Sequence, residues 1–141
     1  MPVVLNPYLH FRGEARAAME LYAKVFGGTL TLSTYGEAGA SQDPADQDKV
    51  MHGRLDGPDG LVLMGSDAPS GMPVTDPSGF SVSLSGDDEA VLRGWWDALS
   101  AGGSVTLPLE RAPWGDSFGM VTDRFGVAWM VDITAAAPAS S

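Results

Sequence analysis

The alternation of apolar and polar residues predicts the elements of the first half of the chain. Residues 3–11 alternate with a period of two, which is typical of a strand, and residues 14–26 carry apolar side chains at helical spacing. This helix is predicted to stop at Gly27-Gly28, because glycine readily adopts the left-handed backbone that ends a helix. Its apolar stripe consists of Ala18, Leu21, Tyr22 and Val25. Three more strands are predicted at residues 29–35, 49–55 and 61–66.

The same order of patterns returns in the second half. A strand that includes Phe80 precedes a helix, which begins after either Asp87 or Asp88 and stops at Gly102-Gly103. The apolar stripe of this helix consists of Leu92, Trp95, Trp96 and Leu99. The chain then forms a hairpin with strands at residues 118–121 and 127–133. In the last strand one face carries Val127, Trp129, Val131 and Ile133, and the other carries Ala128, Met130 and Asp132.

These two patterns align as an internal repeat. Matching Gly13 with Gly86 and Gly60 with Gly126 gives each half the order strand, helix, strand, strand, strand. The predicted fold class is therefore α+β, with two βαβββ modules in one pseudo-twofold domain and a ligand cleft between them. Residues 1–134 are predicted to be this single domain, made of module 1 (1–67), a linker (68–78) and module 2 (79–134), followed by a flexible tail (135–141). Residues 36–48 are acidic and aperiodic, and we expect a mobile loop there.

Composition narrows the classes of partner. The formal net charge is −10 with only eight Lys and Arg residues, which argues against nucleic acid as a partner and suits a cationic ligand. The absence of cysteine excludes disulfides, a thiolate nucleophile and cysteine-bound zinc. The chain has no apolar run long enough to cross a bilayer and no signal segment at its beginning, so we expect no membrane partner and a cytoplasmic protein.

Candidate binding residues lie on the predicted strands and before the last hairpin. Tyr8 and His10 share the polar face of the first strand, and imidazole is the side chain that titrates near neutral pH. His52 and Arg54 share a face of a later strand, where they would either hold an anionic or carbonyl-bearing ligand or pair with acids across the sheet. Trp114 can stack on a flat or cationic ligand, and the adaptable thioethers of Met64 and Met130 are expected to line the cleft.

Several short motifs resemble those of a known superfamily. They are Pro7-Tyr-Leu-His-Phe11, Tyr22-Ala-Lys-Val-Phe-Gly-Gly28, Met51-His52, Leu63-Met-Gly-Ser-Asp67, Trp114-Gly-Asp116 and Asp123-Arg-Phe-Gly-Val-Ala-Trp-Met130. With the paired modules, they make the chain similar to the vicinal oxygen chelate superfamily, which includes glyoxalase I, extradiol dioxygenases and bleomycin-resistance proteins. Within it, the PhnB-like branch is the most similar. The resemblance implies the fold strongly, whereas the superfamily supports several unrelated chemistries.

The metal-using members of that superfamily take four ligands from the strands facing the cleft. The resemblance places these positions at Asn6, Met64, Gly79 and Met130, none of which is histidine or glutamate. A divalent ion that prefers imidazole and carboxylate would find a poor set of donors there, so no metal and no cofactor are expected. A different metal site remains open, made of His10 and His52 with one carboxylate from Glu110, Asp116 or Asp132.

These observations lead to two alternative functions. The first is a metal-independent protein that binds a small organic molecule, cationic or aromatic, through Tyr8, His10, His52, Arg54, Met64, Trp114 and Met130. The second is an enzyme of lyase, isomerase or dioxygenase type that uses His10 or His52 as an acid or base, or in the different metal site. A homodimer is expected, because the resembled family covers its sheet edges by pairing and twofold dimers are common.

Overall fold

The computed structural model describes residues 3–74 and 79–135, which divide into two compact units, Met1–Thr75 and Asp76–Ser141. The first unit contains strand β1 (Tyr8–Phe11), helix α1 (Ala15–Phe26), strand β2 (Thr29–Thr34), the short helix α2 (Tyr35–Ala38), strand β3 (Val50–Asp56) and strand β4 (Val62–Asp67). Its sheet has the order β1-β4-β3-β2, in which β1 runs parallel to β4 and the other pairs are antiparallel.

The second unit repeats this architecture. It contains strand β5 (Val82–Gly86), helix α3 (Glu89–Ser100) and strands β6 (Ser104–Arg111), β7 (Ser117–Thr122) and β8 (Ala128–Ile133). The order β5-β8-β7-β6, with β5 parallel to β8, matches the first sheet strand for strand. The predicted α+β class with two βαβββ modules is confirmed. Across the two ranges that the structure describes, no helix is both long and apolar enough to span a membrane.

Helix α1 packs on its sheet through a stripe that differs from the predicted one. Met19 and Phe26 are buried, whereas Leu21 and Val25 are only partly covered. The reason lies in the sheet, where Gly53 and Gly65 leave room for the Met19 side chain. A β-carbon on Gly65 would lie 3.1 Å from the Met19 sulfur. Met19 therefore fills a space that two distant glycines create.

The start of α1 is held by a residue from another strand. Glu14, at the N-cap position, forms no capping bond, and instead the buried Asp67 carboxylate accepts hydrogen bonds from the backbone N–H groups of Gly13 and Ala15, at 2.8 and 2.9 Å. Its other oxygen accepts from the backbone N–H of Val50 at 3.0 Å. A carboxylate in this position satisfies helix N–H groups that have no partner within the helix.

The second module follows its predicted pattern closely. Asp88, one of the two expected caps, accepts a hydrogen bond from the Val91 N–H at 3.2 Å. Of the predicted stripe, Leu92, Trp96 and Leu99 are buried and Trp95 is partly covered. In β8 and the residue before it, the predicted apolar face is buried throughout. The turn before β8 is tied by Asp123, whose carboxylate accepts from the backbone N–H groups of Phe125 and Val127 and from the Trp129 indole N–H.

The segments predicted to be irregular contain more order than the sequence indicates. Residues 36–48 include most of α2, which Thr34 caps by accepting from the Glu37 N–H, and a 3₁₀ turn at Pro44–Asp46. The predicted loop therefore contains two short helical turns, whose N-termini are stabilised by capping side chains. Their mobility stays a prediction. The last four linker residues, 75–78, and the tail after residue 135 lie outside the described residues.

Candidate functional site

The face of the first sheet opposite α1 carries five of the predicted binding residues. Strand register shows this directly, because Cα partners on neighbouring strands point to the same face. Met64 is the partner of both Tyr8 and Arg54. The side chains of this face are at most partly covered, whereas most of the residues that alternate with them are buried, namely Leu9, Phe11, Gly53 and Leu55. Tyr8, His10, His52, Arg54 and Met64 therefore lie together on one helix-free surface, which we call the open face of module 1.

Three rings form a cluster on this open face. The Tyr8 ring lies 5.1 Å from the His10 ring and 6.0 Å from the His52 ring, measured between centroids. The Tyr8 hydroxyl is 3.5 Å from Nδ1 of His52, the outer limit of a hydrogen bond. Tyr8 is 41% exposed, so the cluster is accessible to a ligand. It offers flat apolar surface together with two imidazoles that can donate, accept or transfer a proton.

Arg54 is engaged within its own strand. Its Nε lies 3.0 and 3.1 Å from the two carboxylate oxygens of Asp56, and a second guanidinium nitrogen lies 3.0 Å from the same group. The acid with which Arg54 pairs lies on the same strand, not on a neighbouring strand as the pairing alternative expected. Because both partners are largely exposed, the pair contributes little to stability and a ligand can compete for the guanidinium.

The remaining predicted residues, Trp114 and Met130, belong to the second module. Met130 pairs with Met120 across β7 and β8, on the face that is not buried. The Trp114 ring contacts Phe118 edge to face, with centroids 5.8 Å apart. Trp114 is 63% exposed and borders a hollow of about 250 Å³ that also includes Pro113 and Phe118. This module therefore presents its own exposed aromatic surface.

Asp132, on the same face as Met130, has an unusual environment. Its Oδ1 is buried and has no hydrogen-bond partner among the described residues. Burial raises the pKa of the Asp132 carboxyl above its usual 3.8, and a hydrogen bond with Asp116 and the charge of that residue raise this pKa further. Asp116 in turn accepts from the Ala135 N–H at 3.0 Å. The two carboxyls are close enough to share a proton.

A second hollow, of about 350 Å³, opens at the end of the open face of module 1. Its floor is formed by His10, Tyr35 and Ser66, and its apolar wall by Ala68, Pro69, Met72, Pro73 and Val74. We call residues 68–74 the strap. Burial raises the pKa of the Tyr35 phenol, and the nearby groups Tyr8, Asp67 and Asp46 raise it further. The hollow lies entirely within the first unit.

The sequence indicated His10 but not the other residues of this hollow. Tyr35 and Ser66 were each the last residue of a predicted strand, where the alternating pattern ends. The available signal was the parallel pairing of the first and fourth strands, expected for such a module, which brings Ser66 beside His10. Met72 lies in a segment rich in proline and glycine, in which no period indicates the direction of a side chain.

The residues present do not fit the metal site that the fold family implies. Met64 and Met130 offer thioethers, Gly79 offers no side chain, and the Asn6 amide nitrogen donates to the carbonyl of Pro7 at 3.1 Å. Within residues 3–74 and 79–135, no three His, Asp or Glu side chains come together as a metal site would require. The different site, which would join His10 and His52 of the first unit to a carboxylate of the second, stays a prediction.

Comparison with known proteins complements this geometry. A family model described as the Glyoxalase/Bleomycin resistance protein/Dioxygenase superfamily matches residues 4–131. Protein YjdN of Escherichia coli (strain K12) is 31% identical over 147 residues, a match that covers 95% of this chain and 97% of that protein.

Solved structures are similar over nearly the whole chain. Protein PA1353 from Pseudomonas aeruginosa has a TM-score of 0.83 and 42% sequence identity, with 96% of this chain and 100% of that chain covered. A PhnB protein from Bacillus cereus, described as a putative 3-demethylubiquinone-9 3-methyltransferase, has a TM-score of 0.72 at 22% identity, with 92% and 98% covered. The second similarity concerns the fold alone.

Proposed function

The chain belongs to the Glyoxalase/Bleomycin resistance protein/Dioxygenase superfamily, as the sequence motifs predicted, and from this premise we propose that it binds a small organic molecule without a metal. The observation that carries the proposal is the ring cluster of Tyr8, His10 and His52 on the open face of module 1. An accessible aromatic surface with a few convergent polar groups is typical of ligand sites.

The chemistry of this face favours an aromatic or cationic ligand. Tyr8 supplies a ring for stacking or for a cation–π contact, and Met64 supplies an adaptable apolar surface. The net charge of −10 favours the approach of cations over anions. On the second module, Trp114 and Met130 offer similar surfaces. We further propose that residues 1–134 act as one domain and that the protein is a cytoplasmic homodimer.

A binding experiment on chelator-treated protein tests this proposal. Aromatic and organic-cation probes should bind equally well with and without EDTA, as measured by calorimetry. Tyr8→Ala should weaken binding roughly fivefold, since a ring contact contributes about 1 kcal/mol. Val91→Ala, an exposed apolar change on α3, is the control that should leave affinity unchanged. If Tyr8→Ala binds as tightly as the unmodified protein, the open face is not the binding surface.

Metal addition tests the other half of the proposal. Nickel, zinc, manganese and iron should give no increase in melting temperature, whereas a metal bound only by the native state would stabilise it by about 2.7 kcal/mol at a hundredfold excess over its dissociation constant. Elemental analysis should find no stoichiometric metal in protein purified without chelator. A bound metal that His10→Ala or His52→Ala removes would contradict the metal-free reading.

An enzyme remains the second candidate, and one observation favours it. The Tyr8 hydroxyl lies 3.5 Å from the His52 imidazole, so a proton can move between the two groups once a ligand tightens the contact. Turnover of a carbonyl-bearing substrate would then require a proton carried by one histidine. His52→Gln should abolish turnover, whereas His10→Gln should retain it if His52 is the acid or base.

A further inference from the structure

We propose that the hollow beneath the strap recognises a neutral molecule with an apolar ring and a single hydroxyl or amide group. This inference rests on the proposed small-molecule function and specifies, for a neutral aromatic ligand, where its polar group is recognised. It concerns residues of the first unit alone, and the observations that carry it are the construction of the hollow, its polar groups and its charges.

The hollow is preformed because the strap is fastened at several points. The buried Asp46 carboxylate accepts from both the N–H and the hydroxyl of Ser70, the latter at 2.8 Å. Lys49 pairs with the same carboxylate at 2.9 Å. At the two ends of the strap, Ala68 donates its N–H to the carbonyl of Phe11, and Val74 accepts from the Arg12 guanidinium. Because the site is preformed, little conformational entropy of the protein is lost when a ligand binds there.

Four polar residues line the hollow, namely His10, Tyr35, Ser66 and Asp67. The Asp67 carboxylate is held by backbone N–H groups, which leaves the other three to meet a ligand. His10 and Ser66 are register partners on β1 and β4, and neither side chain has a hydrogen-bond partner among the described residues. The Tyr35 hydroxyl donates its proton to the Asp67 carbonyl at 2.8 Å, so it can only accept from a ligand. Together they offer donors and acceptors within a short distance, which matches a hydroxyl or an amide, since each of these groups donates and accepts.

The charged groups near the hollow disfavour ionised ligands of similar size. Asp67 and Asp46 lie near the floor and disfavour a ligand carboxylate. Their oxygens already accept from backbone N–H groups, from Ser70 and from Lys49, so a ligand ammonium would have to share or displace these contacts. A charged ligand would therefore lose hydration without gaining a full set of partners. A volume of about 350 Å³, near the lower end of the range for ligand pockets, suits a one-ring molecule.

The test uses the full chain and four probes of nearly equal size, namely benzyl alcohol, benzamide, benzoate and benzylammonium. Binding is followed by chemical-shift changes of assigned backbone amides. Benzyl alcohol and benzamide should bind in the hollow with dissociation constants of about 1 mM and shift Ser66, Ala68 and Ser70, while the two ions shift these three amides only at roughly tenfold higher concentrations or not at all. Equal binding of all four probes, or no binding of the neutral pair, overturns the inference.

Matched variants separate this inference from the proposed function. Ser66→Ala should weaken benzyl alcohol roughly fivefold, because a hydrogen bond is lost. Ser85→Ala, on the exposed side of β5, should change nothing. Amide spectra of both variants confirm that the fold is retained. If Tyr8→Ala removes neutral-probe binding while Ser66→Ala does not, the hollow is not the recognition site and the open face still stands. If none of the neutral, anionic and cationic probes binds either the open face of module 1 or the hollow, both proposals are wrong.

Discussion

At the scale of single residues, the pKa of the Asp132 carboxyl is raised in the native state. Its Oδ1 is buried without a partner among the described residues, and its pKa is raised by burial and by Asp116. The native state therefore holds the proton more tightly than the unfolded state. Asp132 consequently lowers the free energy of unfolding as the pH rises from about 3.8 through the raised native pKa.

We predict that Asp132→Asn is more stable than the unmodified protein at pH 7, because the amide can donate to Asp116 and carries no charge. The difference in stability between the variant and the unmodified protein should vanish below about pH 3.8, where Asp132 is protonated in both the native and the unfolded state. Urea unfolding at several pH values measures it. Asp97→Asn, on the exposed side of α3, is the control. A variant less stable than the parent at pH 7 would show that the negative charge of Asp132 is needed.

Sequence reasoning at this scale succeeded where a period sets the direction of a side chain. Tyr8, His10, His52 and Arg54 were assigned to strand faces by alternation, and the structure brings these residues together on one face. Tyr35 and Ser66 were missed as candidates because each lies where a strand ends and the alternation stops. Tyr35 and Ser66 lie in the hollow because strands that are distant in sequence pair with each other. The residue pattern of a single strand does not reveal that pairing.

At the scale of elements, each helix rests on glycines of its sheet. Sequence periodicity predicted the helix over residues 14–26, yet it selected Leu21 and Val25 where the structure buries Met19 and Phe26. All four are apolar, and the burial of Met19 depends on Gly53 and Gly65, which lie far along the chain. In the second module, Gly119 has the same role under Trp96.

Replacement of Gly119 by alanine should therefore cost about 2 kcal/mol of stability, which is typical of overpacking. A β-carbon there would lie 2.8 Å from both the Trp96 ring and the Leu109 Cα, and the backbone of β6 cannot easily yield. Gly94→Ala is the matched control. Gly94 lies inside α3 with nothing within 4 Å of the new β-carbon, so this change should stabilise the protein by about 1 kcal/mol. Urea midpoints that move in the same direction for both variants would contradict this.

The fastening of the strap to residues 36–48 gives a prediction about pH. Hydrogen bonds from Lys49 and Ser70 lower the pKa of Asp46 below 3.8, and the bond to Asp46 raises the pKa of Lys49 above 10.5. The stabilisation from Asp46 is therefore complete above about pH 3.8 and is lost as the pH falls through the lowered pKa. The stabilisation from Lys49 is complete below about pH 10.5 and is lost as the pH rises through the raised one.

Asp46→Asn should thus lower the urea midpoint by a constant amount between about pH 5 and pH 9, with the difference shrinking in stronger acid and base. Asp59→Asn, on an exposed turn, should show no such dependence. Amide exchange of residues 68–74 should quicken in Asp46→Asn if Asp46 fastens the strap. Unchanged exchange there would mean that the strap is held by its other contacts.

At the scale of the whole molecule, the second unit exposes several large apolar side chains to solvent. Val105 and Leu107 are 48% and 43% exposed on β6, an edge strand, and Trp114 is 63% exposed. Apolar surface of this kind often marks an interface, and edge strands that remain uncovered invite pairing with another chain. These features support the proposed homodimer.

Sedimentation should show a dimer at tens of micromolar, well above the dissociation constants of about 1 µM or less that standard interfaces reach. Leu107→Lys should shift the equilibrium toward monomer by placing a charge in the contact. Val91→Lys, at an equally exposed apolar position of α3, should leave the dimer intact. A monomer at these concentrations, or equal sensitivity to both lysines, would contradict the proposed assembly or its location.

The Asp67 carboxylate also bears on how the chain acquires its structure during synthesis. It accepts hydrogen bonds from the N–H groups of Gly13, Ala15 and Val50. The first turn of α1 therefore gains its capping carboxylate only when a residue about 50 positions later has been synthesised. At about 5–20 residues per second, that delay lasts several seconds. The hydrogen bonds of Asp67 in the first module can therefore form only after β4 has been synthesised. In the second module, the hydrogen bonds described for Asp88 and Asp123 join residues at most six positions apart, so these bonds can form soon after synthesis.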